Sequence, residues 1–178
     1  MKIDSIDRAA SADGIDAAQT VAPALLRHAL GRFTTGVTIV TCLDANGESV
    51  GLTANSFNAL SLDPPLVLWS LRSTSTSLAA FKCASHFAIN VLAESQVELS
   101  RRFASSVEHK FAEGPWSEGR CGAPVLAGCA AVFECATASM QQAGDHQLFI
   151  GRVLAVMESA VAPLVFQSGH YRLLGEVL

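Results

Sequence analysis

Charge is scarce in this chain. Asp, Glu, Lys and Arg make up only 16% of its 178 residues, and the net charge is −4. No cluster of Lys or Arg occurs, so there is no basic surface for a nucleic-acid backbone. Long apolar runs are lacking too. Leu148–Ile150 and Val153–Met157 fall far short of the roughly 20 residues a bilayer-spanning helix needs. The first residues hold no apolar h-region, so no secretory signal and no membrane attachment are expected. Five cysteines occur, Cys42, Cys83, Cys121, Cys129 and Cys135, with no C-x-x-C and no His at ligand spacing. A structural zinc site is therefore not expected, and no metal. Each Cys reads as a small buried apolar side chain. Free thiols suit a reducing compartment, hence the cytoplasm. Several catalytic signatures are missing as well. Without G-x-S-x-G, H-E-x-x-H or a plausible carboxylate pair, hydrolase readings fall away. Without G-x-G-x-x-G or G-x-x-x-x-G-K-[ST], neither a Rossmann fingerprint nor a P-loop is supported.

Half the residues are hydrophobic, enough for a sizeable core in one domain. Residues 1–22 read as a mobile, Asp/Ala/Ser-rich leader, and 23–178 as the domain. Pro23 suits a first helical turn, with Leu25, Leu26, Ala29, Leu30 and Phe33 on one face and Gly36 as the stop. Val37–Leu43 and Glu48–Ala54 flank Asn46-Gly47, a hairpin signal. Leu66–Leu71, His86–Leu92, Cys129–Met140 and Gln147–Glu158 read as further strands, and Pro163–Phe166 and Tyr171–Leu174 as shorter extended pieces. Leu78–Lys82 and Glu94–Ala104 read as helices. Residues 105–124 read as an irregular stretch of the kind that often carries function. Many strands with two or three helices predict a mainly β chain: an antiparallel barrel with helical decoration.

Gly51–Leu71 organises the rest. It reads as two strands joined by a polar, uncharged bend carrying Asn55, Ser56, Asn58 and Ser61. Such a bend suits a flat heterocycle with amide-like edges, and equally an ordinary turn. The hydroxyl-rich loop Ser73–Ser77 precedes a short helix. It suits a phosphate at a helix N-terminus, or a simple cap. His146, in a turn expected over Gln141–His146, is either solvated or functional.

Seven segments in order give a more specific reading. They are R-F-T-T-G-V-T-I-V-T (Arg32–Thr41), G-L-T-A-N-S-F (Gly51–Phe57), S-L-D-P-P-L-V-L (Ser61–Leu68), F-A-I-N-V-L (Phe87–Leu92), L-S-R-R-F-A (Leu99–Ala104), G-D-H-Q-L-F-I-G-R-V (Gly144–Val153) and G-H-Y (Gly169–Tyr171). Together they resemble the flavin reductase component of two-component flavin-dependent monooxygenases, over about Leu26–Leu174. The resemblance implies an FMN-binding split barrel of antiparallel, Greek-key type, and a homodimer with flavin near the subunit interface. It implies an NAD(P)H:flavin oxidoreductase whose reduced FMN or FAD leaves for a separate oxygenase component.

By the same resemblance, Thr53, Ala54, Asn55, Ser56 and Phe57 hold the isoalloxazine edge, and Ala59 and Leu60 also line the flavin. Thr74, Ser75 and Thr76 take the phosphate end, and Ser106 closes over the cofactor. His146 is associated with the nicotinamide and is the catalytic candidate, with Tyr171 near it. Many relatives have Asp-Lys-Phe where this chain has His109-Lys110-Phe111; Lys110 is assigned to a phosphate. With no basic patch seen near G-D-H, NADH is expected in preference to NADPH. Two alternatives stay open: a flavin-binding electron carrier without reductase activity, and a ferric or cob-corrin reductase on the same fold.

Overall fold

A computed structural model describes residues 21–176. The leader expected over 1–22 lies outside the described residues except for its last two. The chain is mostly strand. In order it carries α1 (Pro23–Leu30), β1 (Thr35–Gly36), β2 (Thr38–Leu43), β3 (Ser49–Ala54), β4 (Asn58–Leu62) and β5 (Pro65–Arg72). Then come α2 (Leu78–Cys83), β6 (His86–Val91), α3 (Val97–Ala104), β7 (Trp116–Glu118) and β8 (Pro124–Leu126). The long pair β9 (Ala131–Ala143) and β10 (His146–Glu158) follows, and β11 (Val165–Gln167) and β12 (His170–Arg172) close the order.

Seven strands make one antiparallel sheet in the order β3-β2-β6-β9-β10-β5-β4. The two edge strands, β3 and β4, are separated in the chain by only residues 55–57. A sheet whose opposite edges are that close in sequence has to curl on itself. The result is a barrel open along one seam. Ser56 spans the seam: its Oγ donates to the carbonyl of Ser70 at 2.9 Å and accepts from the amide of Ser70 at 3.0 Å.

Two apolar clusters sit on either side of β2 and β6, which are buried on both faces. The barrel interior holds Val40, Cys42, Trp69, Phe81, Phe87, Ile89, Cys135 and Phe149. Trp69 stacks on Phe149 at 4.6 Å between centroids and meets Phe81 edge-on at 4.9 Å. The outer cluster holds Val37, Ile39, Leu92, Phe103, Leu126 and Leu164 beneath α3. Asn90 is buried between strands. Its Nδ2 donates to the carbonyl of Ile39 at 3.0 Å, and its Oδ1 accepts from the amide of Leu126 at 2.8 Å.

Several expectations need correction. Residues 58–62 form a strand paired with β5, not the end of a polar bend; tertiary pairing draws them in. The β9–β10 turn is only Gly144-Asp145, and His146 is the first residue of β10. Gly144, with φ +57°, fits the first corner of that two-residue turn. The first helix ends at Leu30, because Thr35-Gly36 pairs with β11. Its apolar face is uncovered in this chain: Leu25, Leu26, Leu30 and Phe33 are all exposed. Only Cys42, Cys129 and Cys135 are buried; Cys83 is exposed and Cys121 intermediate. Burial pushes the three buried thiols up to about 12.

Candidate functional site

A groove opens at the barrel seam and runs out beneath residues 105–112. Its inner part is a cleft of about 460 Å³ lined by Thr53–Ser56 on one side and Ser70–Arg72 on the other, with Thr74, Ser75 and His146. Its outer part, about 1200 Å³, is lined by Ser49–Thr53, Ser75, Thr76, Ser106 and Lys110, among others. Leu52, Thr53, Ser75 and Ala104 belong to both, so the two parts are continuous.

The inner cleft is built from strand ends. The twisted ladder of β10 and β5 puts His146 directly opposite Arg72. His146 Nδ1 lies 2.8 Å from Asp145 Oδ1. A carboxylate only accepts, so Nδ1 carries the proton and Nε2 is left for whatever enters the cleft. The His146 bond is also the main reason the exposed Asp145 carboxyl lies below its ordinary value. Thr53 Oγ1 donates to the carbonyl of Ser100 at 2.7 Å, tying β3 to α3. Gly51 permits that approach: a Cβ there would stand 2.8 Å from the Phe103 ring. Ser73 joins the hydroxyl loop to the turn. Its amide donates to the carbonyl of Asp145 at 2.9 Å, and its Oγ accepts from Gln142 Nε2 at 2.8 Å.

Arg102 organises the outer wall. Its Nε donates to the carbonyl of Lys110 at 3.0 Å, and its two terminal nitrogens reach the carbonyl of His109 at 3.1 Å and Glu113 Oε1 at 2.7 Å. His109 sits in the left-handed region, with φ +53°. Lys110 Nζ donates to the carbonyl of Phe103 at 3.1 Å, and burial lowers its pKa from the ordinary lysine value.

Of the residues singled out in the sequence, Thr53, Ala54, Asn55, Ser56, Thr74, Ser75 and His146 meet in the inner cleft. Thr76, Ser106 and Lys110 line the outer part. Four stand outside both. Phe57 packs on the barrel core, 5.5 Å from the Phe133 ring. Ala59 and Leu60 lie on the edge strand β4, where Leu60 occupies a register shift. Tyr171 is bonded to Ser100 Oγ at 2.9 Å, one residue removed from Thr53. The hydroxyl of Ser56 is bonded to Ser70 in both directions and braces the seam at the cleft. α2 is only six residues long, and the Ser77 side chain makes no cap bond to it, so the loop offers hydroxyls more than a helix end.

Sequence reasoning passed over Ser70, Arg72 and Ala104. Arg72 lies 74 positions before His146 in the chain and directly opposite it in the sheet. An argument for NADH from the lack of basic residues near G-D-H therefore fails in three dimensions. Among the described residues no three His, Cys, Asp or Glu side chains converge on a metal position, and no helix is long and apolar enough to cross a membrane.

Residues 30–175 match the flavin reductase like domain. The chain belongs to that family. It is 45% identical to the FMN reductase (NADH) SmoA of Agrobacterium fabrum, covering 82% of each chain. It is 43% identical to the flavin-dependent monooxygenase reductase subunit HsaB of Rhodococcus jostii, over 89% of this chain and 82% of the relative. Among solved structures, the NADH:FAD oxidoreductase SgcE6 of Streptomyces globisporus superposes with a TM-score of 0.83 at 34% identity, over 90% of this chain and 99% of that one. Two Rhizobium meliloti relatives, 46% and 42% identical, are longer: the chain spans 50% and 65% of their lengths. The barrel with one open seam is the split barrel of this family.

Proposed function

We propose that the chain is an NAD(P)H-dependent flavin reductase that passes hydride from a nicotinamide to FMN or FAD and supplies reduced flavin to a separate monooxygenase. The carrying observation is the inner cleft, where the uncharged Thr53–Ser56 wall and His146 share one cavity in a family member. When bound there, the nicotinamide supplies a hydride and the isoalloxazine accepts it, chemistry that belongs to the cofactors.

The chain's part is to hold and orient. Backbone groups of Thr53 and Ala54 and the side-chain amide of Asn55 suit a ring edge. The hydroxyls of Thr74, Thr76 and Ser106, with Lys110, suit phosphate. Asp145 fixes the His146 ring by its bond to Nδ1, leaving Nε2 to meet a nicotinamide carboxamide. The cleft holds no carboxylate and needs none, because hydride transfer itself asks for no strong acid or base. The relatives named for FMN and for FAD support both flavins, and their names favour NADH.

A homodimer fits the apolar residues left exposed on β4, β10 and α1. Leu62 is 96% exposed, and Leu60, Leu154, Val156 and Met157 are open with it. Ala59 and Leu60 stand on that free edge, where a second subunit would meet them. The free thiols support a cytoplasmic setting.

The test is NADH-driven bleaching of added FMN or FAD, repeated with His146→Ala. Losing one orienting hydrogen bond should lower kcat/KM for NADH by roughly 5- to 150-fold while flavin affinity holds. A wild-type protein that binds flavin but never bleaches it leaves an electron carrier instead.

A further inference from the structure

Arg72 ends β5 at the mouth of the inner cleft. Apart from His146 opposite, every other residue lining that cleft is uncharged. The ion pairs of Lys or Arg among the described residues are Arg101–Glu98 and Arg102–Glu113, and Arg72 takes part in neither. Asp145 feels the Arg72 charge, but its carboxylate is already bonded to the imidazole. Arg72 is exposed and lines the same cleft as Thr74 and Ser75, which add two hydroxyls to it. Five N–H donors in a planar fork match the oxygens of a phosphoryl or a carboxylate group, and the neighbouring hydroxyls of Thr74 and Ser75 add donors that suit a phosphoryl group.

We propose that Arg72 grips a phosphoryl group of the ligand occupying this cleft. The inference rests on the flavin reductase reading, because both of that reaction's substrates carry phosphoryl groups: the flavin nucleotide and the nicotinamide dinucleotide. Arg72 is then a cation of the inner cleft that separates phosphorylated from unphosphorylated ligands.

The experiment titrates the wild-type chain and Arg72→Gln with FMN, with riboflavin, which lacks the phosphate, and with ADP-ribose, which has the pyrophosphate without the nicotinamide. Fluorescence quenching reads the flavins and calorimetry reads ADP-ribose. The variant should bind FMN or ADP-ribose roughly 10- to 150-fold more weakly and riboflavin unchanged. A loss on FMN assigns the flavin phosphate, and a loss on ADP-ribose assigns the dinucleotide. Arg72→Lys should recover part of the loss, keeping the charge without the fork. Equal binding of both phosphorylated ligands by variant and wild type overturns the proposal, as does an equal loss of riboflavin and FMN. If the wild type meanwhile reduces flavin with NADH, the proposal fails alone. If the wild type binds no flavin, the functional reading falls with it.

Discussion

The wall of the groove made by β3, β5 and β10 and the wall made by residues 105–113 are held by different kinds of bond. The first is part of the sheet. His146 and Arg72 stand opposite each other because two strands pair along seven registered positions, and Ser56 braces the seam with two bonds to one residue. The second wall has little backbone pairing of its own. One guanidinium, Arg102, gathers the carbonyls of His109 and Lys110 and the carboxylate of Glu113. Under the proposed function the sheet wall suits ring alignment, because it cannot shift without unfolding the sheet. The wall tied by side chains would then suit a phosphate tail and the exit of a product.

The largest effect expected is on the sheet that carries the first wall, through the two apolar clusters packed on it. Cys42, Cys129 and Cys135 are held neutral by burial, with pKa values of about 12 against an ordinary thiol value of 9.0. Each value is raised in the folded state, so the stability it represents is complete below pH 9 and is lost as pH climbs towards 12. Above pH 9 the unfolded chain binds fewer protons, and folding should weaken by on the order of 1 kcal/mol per pH unit for each thiol. Denaturant unfolding at stepped alkaline pH measures this. A flat profile would mean that the thiols reach water in the folded state.

Ser56→Leu comes next. It removes both bonds to Ser70 and forces bulk into the seam, so about 3 kcal/mol of stability should go, and flavin binding with it. Ser56→Ala should cost less, about 1–2 kcal/mol, by leaving the Ser70 groups underpaired. Equal melting of wild type and Ser56→Leu would refute the brace.

Arg102→Ala should behave in the opposite way. Its thermal midpoint should stay within a few degrees of the parent's, because most of the core is untouched. Affinity for FMN should fall by roughly 10-fold as the outer wall loses its tie. If stability collapses instead, the two walls are one cooperative unit. The smallest effect belongs to Thr53→Val, which deletes a single bond to the carbonyl of Ser100. About 1 kcal/mol of stability is expected, and a drop in flavin affinity larger than that in stability would show that the hydroxyl also meets the ring.

Much of this protein was legible in residue order alone. Alternating and β-branched runs located the strands, Asn46-Gly47 located a hairpin, and seven short segments in sequence pointed to the split barrel. Thr53–Ser56 and His146 were singled out from those segments, and they do share a cleft. Local chemistry sufficed for the strands and the hairpin, because a turn or a strand depends on neighbours a few residues away; the cleft residues came from the family resemblance. It did not suffice where a residue's surroundings come from distant chain. Residues 58–62 read as polar bend until β5 pairs with them. Ser56 read as part of a polar bend, and only the fold shows its hydroxyl bonded to Ser70. Arg72 fell outside the strand read over Leu66–Leu71 until the β5–β10 ladder sets it opposite His146, and only that pairing puts a positive charge in the lining of the cleft.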